Sequence, residues 1–269
     1  VLVVSSGNPT GEPLTLDNDE ALERLMGIAD AFLMHDLDLV APTEGSVACS
    51  GPGGLQLVKR SRGYAPRSVK LPFAMPSILA FGVQDKNTVC VTRGDEAFIS
   101  PQQGDYSNAL TGQTVLGGAE HLLAMLGVSP ALVVCDRDAH NPVARLAREF
   151  ADQRGVPLMT VQHHHAHIAA CLAEHHHTAP AYALALDGYG LGDDGTAWGG
   201  ELLRVDGAAY ARLGHLAPLH LLTGDHESGQ PWRLAAAILY ALGRGDEIAQ
   251  RFADQPESAG LAERSAVAG

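Results

Sequence analysis

Apolar positions divide the first part of the chain into short elements. The run VLVVSS at residues 1–6 predicts a buried strand. Apolar residues at helical spacing in residues 17–36 predict an amphipathic helix with Asp17 or Asn18 as its N-cap. The segments GSVACS (45–50) and LQLVKRSRGY (55–64) predict two more strands. The proline-rich segment APRSVKLPFAMPSI (65–78) then indicates a linker, with a domain boundary near residues 65–76.

The next region alternates helices and strands. An apolar-periodic helix is predicted from Leu116 to Leu126, followed by a buried strand in ALVVCD (131–136). A helix capped by Asn141 is predicted to end at Gly155, before a strand in VPLMTVQ (156–162). This order predicts a βαβ unit with parallel strands and a right-handed crossover. Three strand candidates beyond residue 180, namely AYALALD (181–187), GELLRVDG (200–207) and YARLGHLAPL (210–219), predict an antiparallel meander.

Composition narrows the classes of partner. The net charge is −13, from 31 acidic and 18 basic residues, which argues against a nucleic-acid partner. Neither a bilayer-spanning apolar run nor a signal segment is evident, so we expect no membrane association and a cytoplasmic location. The four cysteines form no CxxC pair and are predicted to be reduced core thiols. Because the chain opens at Val1 inside an apolar run, we expect a piece of a longer protein.

Residues 161–177, VQHHHAHIAACLAEHHH, hold seven of the thirteen histidines. The pattern predicts a strand end followed by a helix, on which His163 and His167 share one face. Two imidazoles at this spacing can share one divalent metal, although a solvated histidine-rich helix end would give the same pattern. His175–His177 fall at the predicted helix end, where solvent exposure is expected.

The segment LALDGYGLGDDGTAWGGE (184–201) is rich in glycine and acid. Asp187 is predicted to end a buried strand, with Gly188, Gly190 and Gly192 in a turn behind it. Glycines can let backbone N–H groups close on a phosphate, and a strand-end carboxylate can orient Mg²⁺. An ordinary glycine-rich hairpin turn explains the same residues.

Taken in order, these motifs resemble the hydrogenase-maturation carbamoyltransferase family HypF. The first part matches a motif of the family's YrdC-like domain at residues 6–13, SGNPTGEP, and continues with DNDEALERLMGIADAFLMHD and KRSRGYAP. The family's second domain is similar to TsaD-type tRNA-modification proteins and to actin-like ATPases. Its motifs KNT, VQHHHAHIAAC, DGxGxGxDGxxWGGE and QPWR stand at residues 86–88, 161–171, 187–201 and 230–233.

The resemblance implies an α/β fold built from parts of two domains. Residues 1–72 would be the C-terminal part of a YrdC-like α/β domain. Residues 73–269 would be the first part of an actin-like ATPase domain of the sugar-kinase/Hsp70-like, TsaD-like type. Residues 44–47 read Glu-Gly-Ser-Val where the family usually has Asp-Asp-Ser-Val, which is a departure at the first site.

The resemblance also implies a two-step reaction. The first domain would form carbamoyl-adenylate from carbamoyl phosphate and ATP with Mg²⁺. The second domain would pass the carbamoyl group to the C-terminal cysteine of a HypE-type acceptor protein, on the route to the cyanide ligand of nickel–iron hydrogenase. A divalent metal, Zn or Fe, would serve this second step.

Specific residues follow from the matched motifs. The resemblance implies that His163 and His167 are metal ligands and that Asp187 is catalytic. It also implies that the Asp187 segment, with Gly188 and Gly190, approaches the nucleotide phosphate or carbamoyl group. In the first domain the nucleotide pocket would be lined by Ser6, Asn8, Ser46, Arg60 and Arg62.

Three other functions compete with this interpretation. An antibiotic O-carbamoyltransferase uses the same two domains in reverse order, and the order here favours the hydrogenase type. Transfer of a threonylcarbamoyl group to tRNA is disfavoured by the acidic balance and by His164-His165 between the two candidate ligands. A truncated chain that binds a partner without catalysis is the third alternative.

Overall fold

The computed structural model describes residues 7–9, 14–37, 39, 43, 45–83, 87–102, 109–219 and 231–255, with the backbone alone for 109–111. The chain divides into two units. The first comprises residues 1–181 and 205–210, and the second comprises residues 182–204 and 211–269. The strand predicted at residues 1–6 lies outside the described residues.

Among the described residues before residue 65, the structure contains one short helix and one hairpin. Helix α1 (Asn18–Leu25) begins as predicted, because the Asp17 side chain accepts hydrogen bonds from the N–H groups of Asp19 and Glu20. The predicted continuation to residue 36 is wrong. Gly27, with φ at 90°, follows the C-cap residue and ends the helix. The two predicted strands are confirmed as β1 (Val47–Gly51) and β2 (Gly54–Lys59), which pair antiparallel.

The proline-rich segment is a strand, so its prediction as a linker is wrong. Strand β3 (Ser68–Met75) pairs antiparallel with the long strand β5 (Val89–Ile99), and β4 (Ile78–Phe81) pairs with β5 from the other side. The register shift in the β3–β5 pairing falls between Lys70 and Met75, where Pro72 cannot donate a ladder hydrogen bond. A proline at such an irregularity is compatible with an outer strand.

The five-stranded sheet has the order β3-β5-β4-β6-β7. Strands β6 (Leu132–Asp136) and β7 (Leu158–Val161) are parallel to each other and β6 is parallel to β4, which confirms the predicted βαβ arrangement. Asp136 lies opposite Val161 in this register. The carboxyl end of β6 therefore meets the segment that leads from β7 into the histidine-rich helix.

Helices pack against this sheet. Helix α2 (Ala109–Leu126) ends where predicted but begins seven residues before Leu116, in a stretch without apolar periodicity. Helix α3 (Pro142–Arg154) is confirmed in detail, since Asn141 caps it and Gly155 takes the left-handed conformation after it. The core combines strand residues with one face of each helix: Leu79, Phe81, Val89, Val91, Val133, Val115, Ala119, Leu122, Leu123, Val143, Ala147 and Phe150. Helix α4 (His163–Glu174) follows β7 directly.

The second unit is built on consecutive strands and a short helical end. Strands β8 (Ala181–Leu191), β9 (Ala197–Asp206) and β10 (Ala209–His215) form a sheet in sequential order, as the meander predicts. The tip of the β9–β10 hairpin, residues 205–210, belongs to the first unit. Helix α5 (Pro231–Ala241), a 3-10 turn (Gly245–Glu247) and helix α6 (Ile248–Arg251) pack around Ala236 and Ile248.

Two composition-based expectations can be compared with the structure. Among the described residues, no helix combines the length and apolar character needed to span a membrane. All four cysteines are free thiols, but only Cys135 is buried, whereas Cys49 and Cys171 are exposed. The prediction of core thiols is therefore wrong for those two, because a cysteine on a half-exposed strand or helix need not face the core.

Candidate functional site

His163 and His167 lie together at the start of α4, as their spacing predicts. The two Nε2 atoms are 3.2 Å apart, and the ring centroids are 4.7 Å apart at an interplanar angle of 80°. Two nitrogens bound to one tetrahedral Zn²⁺ at normal Zn–N distances are about 3.3 Å apart, so the observed spacing fits a shared ion. Neutral imidazole nitrogens also suit iron and other divalent transition metals.

A third side chain, Asp136, supports this pair. Its Oδ2 lies 2.7 Å from Nδ1 of His163, and the two side chains are only 9% and 14% exposed. Burial disfavours the Asp136 carboxylate, but hydrogen bonds from His163 and from the Asp138 N–H outweigh that effect and hold the pKa of Asp136 below its ordinary value. A charged carboxylate behind a histidine raises the basicity of that ligand and fixes its ring.

The helix start is organised by Gln162, the N-cap of α4. Its Oε1 accepts a hydrogen bond from the His165 N–H, and its Nε2 lies 3.1 Å from Nδ1 of the fully buried His164. The ring of His165 lies 4.7 Å from the ring of Tyr210, and its Nε2 is 3.2 Å from the Gly207 carbonyl. His165 therefore packs against the hairpin tip, whereas the buried His164 ring meets the His163 ring edge-on, with centroids 5.5 Å apart.

The three histidines at the other end of α4 are exposed, as predicted. His175 is the C-cap, and His176 adopts a positive φ of 51°. The N–H of His177 donates to the Leu172 carbonyl, which closes the helix end. The histidine cluster thus consists of a paired site and a solvated terminus. Metal binding at the pair remains a prediction.

The candidate nucleotide residues of the first region are partly grouped. Ser46 Oγ donates to the Arg62 carbonyl at 2.8 Å and accepts from the Ser61 N–H at 2.9 Å. The guanidinium of Arg62 donates to the Thr43 carbonyl, and that of Arg60 donates to the Arg67 carbonyl. The bonds of Ser46 and Arg62 hold the segment that follows β2 against Thr43 and Ser46. Asn8 donates to the Pro9 carbonyl, and Ser6 lies outside the described residues.

Asp187 and its glycines are arranged differently from the prediction. Strand β8 continues through Asp187, Gly188 and Gly190 to Leu191, so Asp187 does not end a strand. The turn is formed by residues 192–196 instead. Asp187 is exposed, and its Oδ1 accepts a hydrogen bond from the Gly188 N–H at 2.7 Å. Gly188 and Gly190 therefore lie within a strand and not in a turn, so they do not form a nest of successive N–H groups.

The rest of the glycine-rich motif forms a structural network. Asp194 Oδ1 accepts hydrogen bonds from the Thr196 N–H, the Thr196 hydroxyl and the Trp198 indole. Arg212 lies 4.3 Å from the Trp198 ring and binds Glu201 through its Nε at 2.6 Å and its Nη2 at 3.1 Å. Glu201 is only 2% exposed. The bonds from Thr196 and Trp198 hold the pKa of Asp194 below its ordinary value.

Gly192 has a specific steric role in this network. A Cβ added there would lie 2.0 Å from Nε1 of Trp198. The indole can therefore reach Asp194 only because residue 192 has no side chain. By contrast, a Cβ added at Gly188 meets no atom within 4 Å.

Sequence reasoning missed two residues of these sites, Asp136 and Arg212. Asp136 could have been found from the predicted βαβ unit, because the carboxyl ends of adjacent parallel strands lie at one edge of a sheet. Arg212 carried no such signal. It pairs with Glu201 across β9 and β10, and its partner depends on strand register.

Comparison with known proteins gives consistent matches over nearly the whole chain. The HypF Kae1-like domain matches residues 74–174, and the second subdomain of the carbamoyltransferase Kae1-like domain matches residues 183–267. Carbamoyltransferase HypF2 of Cupriavidus necator is 54% identical over 95% of this chain and 32% of its own length. Carbamoyltransferase HypF of Rhizobium leguminosarum bv. viciae is 41% identical over 99% of this chain and 34% of its own length.

Solved structures agree with these matches. The crystal structure of full-length HypF in the phosphate- and nucleotide-bound form superposes with a TM-score of 0.84 at 33% identity, over 97% of this chain and 41% of that one. The structure of T. kodakarensis HypF gives a TM-score of 0.82 at 32% identity. The chain spans about a third of the length of the curated relatives it matches. The predicted α/β class is confirmed, and the chain belongs to the HypF family.

Proposed function

We propose that this chain is the part of a HypF-type carbamoyltransferase that brings together a carbamoyl-activating region and a metal-dependent transfer site. The observation that carries the proposal is the His163–His167 pair, backed by Asp136, within the segment that matches the HypF Kae1-like domain. The relatives are named carbamoyltransferases, which supports a carbamoyl compound as the substrate. Carbamoyl phosphate and ATP are the proposed substrates, and the cytoplasm is the proposed location.

The proposed division of labour follows the two matched motif blocks. Residues 1–72 belong to the YrdC-like, adenylate-forming region, and residues 73–269 belong to the transfer region. Ser6, Asn8, Ser46, Arg60 and Arg62 are the proposed nucleotide residues of the first step, which uses Mg²⁺-bound ATP. Two hydrogen bonds support this assignment, because the Ser46 hydroxyl donates to the Arg62 carbonyl and the Arg62 guanidinium donates to the Thr43 carbonyl, which holds both side chains in place. Arginine is a residue type suited to phosphate recognition. Gly188 and Gly190 are proposed to approach the nucleotide in the second step.

The metal step rests on the two histidines. A bound Zn²⁺ or Fe ion would polarise the carbonyl oxygen of the carbamoyl group as a Lewis acid. His163 and His167 would hold the ion, and Asp136 holds the ring of His163. Asp187 is proposed to act on the transferred group in the same step. The thiolate of a HypE-type acceptor cysteine forms a C–S bond with the carbamoyl carbon, while the C–O bond to AMP breaks and AMP leaves.

The test uses the full gene product that contains this chain. Pyrophosphate exchange into ATP that depends on carbamoyl phosphate reports the first step, and mass spectrometry of a HypE-type acceptor reports the second. Asp187→Ala and His167→Ala should keep the exchange and lose carbamoylation of the acceptor. Arg62→Ala should lose both steps, since the second step needs the product of the first.

Three results would overturn the proposal. Loss of pyrophosphate exchange in Asp187→Ala would contradict the division of labour. Absence of both activities in the wild-type protein would instead favour a binding module without catalysis. Carbamoylation of a small-molecule hydroxyl in place of the cysteine acceptor would identify an O-carbamoyltransferase.

A further inference from the structure

The His163 ring is held from the side opposite the proposed metal. Asp136 is the last residue of β6, and the β6–β7 register sets it opposite Val161, two residues before His163. This places the carboxylate directly behind the imidazole, with Oδ2 2.7 Å from Nδ1. Both side chains are largely buried, so water competes little for this bond.

Asp136 is itself held in one orientation. Its second oxygen, Oδ1, accepts a hydrogen bond from the Asp138 N–H at 2.8 Å. One oxygen is therefore bound by the loop after β6 and the other faces the histidine. The carboxylate cannot rotate without breaking one of these two bonds, and the position of His163 is fixed by the backbone of the sheet edge.

The hydrogen bond also selects a tautomer. An ionised carboxylate can only accept, so Nδ1 of His163 must carry the hydrogen, and Nε2 then keeps its lone pair. This unprotonated Nε2 of His163 is the atom that lies 3.2 Å from Nε2 of His167. Without a metal, His167 donates its Nε2–H to His163. When a cation binds, His167 must carry its hydrogen on Nδ1 instead, whereas His163 needs no change.

We propose that Asp136 is a positioning residue for the metal site, which holds His163 as the Nδ1–H tautomer with its Nε2 lone pair directed toward the ion. The inference rests on the proposed function, because it assigns His163 and His167 as ligands. The inference adds Asp136, which is not a ligand, and it gives the two histidines different roles. His163 is the prearranged ligand, and His167 adapts.

The experiment measures metal affinity and tautomer separately in the full gene product that contains this chain. Metal-free protein is titrated with Co²⁺, and binding is followed by the visible absorption of the cobalt. Asp136→Ala should weaken Co²⁺ binding about 10- to 100-fold, the range typical for loss of such a partner. Asp136→Asn should not recover the affinity, because its oxygen stays bound to the Asp138 N–H and its amide NH2 then faces Nδ1 of His163. Asp152→Asn, an exposed carboxylate on α3, is the matched control and should bind as wild type.

The tautomer is read in metal-free protein labelled with ¹⁵N-histidine, by long-range ¹H–¹⁵N spectra in which His163→Ala identifies the His163 signals. We expect the Nδ1–H form in wild type and a shift toward Nε2–H in Asp136→Asn. Wild-type affinity in both Asp136 variants, or an Nε2–H tautomer in wild type, would overturn the inference. Failure of the wild type to bind Co²⁺ would overturn the proposed metal site instead, and the tautomer would still decide the role of Asp136.

Discussion

The start of α4 and the β8–β9 hairpin carry equally distinctive motifs, yet their residues are used in opposite ways. In the hairpin, each group meets a complementary one. The Trp198 indole donates to Asp194, and Arg212 on the next strand donates to Glu201 and lies over the Trp198 ring. At the helix start, His163 and His167 bring two nitrogens of the same kind within 3.2 Å. Complementary groups that bind one another stabilise a fold, whereas like groups brought together favour a shared proton or cation.

The two motifs are distinctive for different structural reasons. The DGxGxGxDGxxWGGE motif is specific because its parts must fit each other, down to the missing side chain at Gly192. The VQHHHAH motif is specific because some of its histidines pack the interior while two of them converge. His164 is fully buried and Gln162 caps the helix, and together they fix the face on which His163 and His167 lie.

The largest effect on stability is expected from Arg212→Ala. The change removes the partner of the buried Glu201 carboxylate, which costs about 3 kcal/mol in the free energy of unfolding. Both tryptophans, Trp198 and Trp232, lie in the second unit, so tryptophan fluorescence during urea denaturation measures this loss. Arg244→Ala is the control, because its pair with Glu247 is solvent-exposed and contributes about 1 kcal/mol or less. Equal losses in the two variants would contradict a structural role for the hairpin network.

A smaller loss is expected from Gly192→Ala. The added methyl group must displace the Trp198 indole from Asp194, and overpacking of this kind costs about 2 kcal/mol. Gly188→Ala adds the same group in open space, so its free energy of unfolding should remain near the wild-type value. The same urea denaturation measures both variants. If Gly188→Ala were the more destabilising of the two, the assignment of Gly192 as the steric requirement would be wrong.

The smallest effect is a local one that depends on pH. The pKa of Asp194 is held below its ordinary value, so its hydrogen bonds are present above that ordinary value and are lost as pH falls through the depressed one. The NMR signal of the Trp198 indole N–H should therefore shift with a midpoint below 3.8. In Asp194→Asn this titration should disappear. A midpoint above 3.8 in the wild type would mean that the Asp194 bonds do not favour the charged form.

Sequence reasoning succeeded where local rules decide the structure. The cap by Asn141, the proline at 142 and the left-handed Gly155 fixed the bounds of α3, since each acts within one turn. The His163–His167 pairing also followed from local geometry, because residues four apart share a helix face. Parallel pairing of β6 and β7 followed from the order of elements.

Sequence reasoning failed where the structure of a segment depends on a partner that is distant in sequence. The proline-rich segment forms β3 because β5 offers it an edge, which no local pattern reveals. Strand β8 runs past Asp187 for a related reason, since the neighbouring strand β9 supplies hydrogen bonds to a glycine-rich stretch that would otherwise be a turn. Asp136 was missed as a partner because it lies 27 residues from His163.

The central claim is that His163 and His167 jointly bind one divalent metal, whereas the histidines at the far end of α4 do not. Metal content by inductively coupled plasma mass spectrometry of the full gene product tests it most directly. The comparison is between His163→Ala, His167→Ala and a variant with alanine at all of His175–His177. We predict that either single change removes the metal and that the triple change retains one equivalent. Metal retained in both single variants and lost from the triple variant would contradict the account.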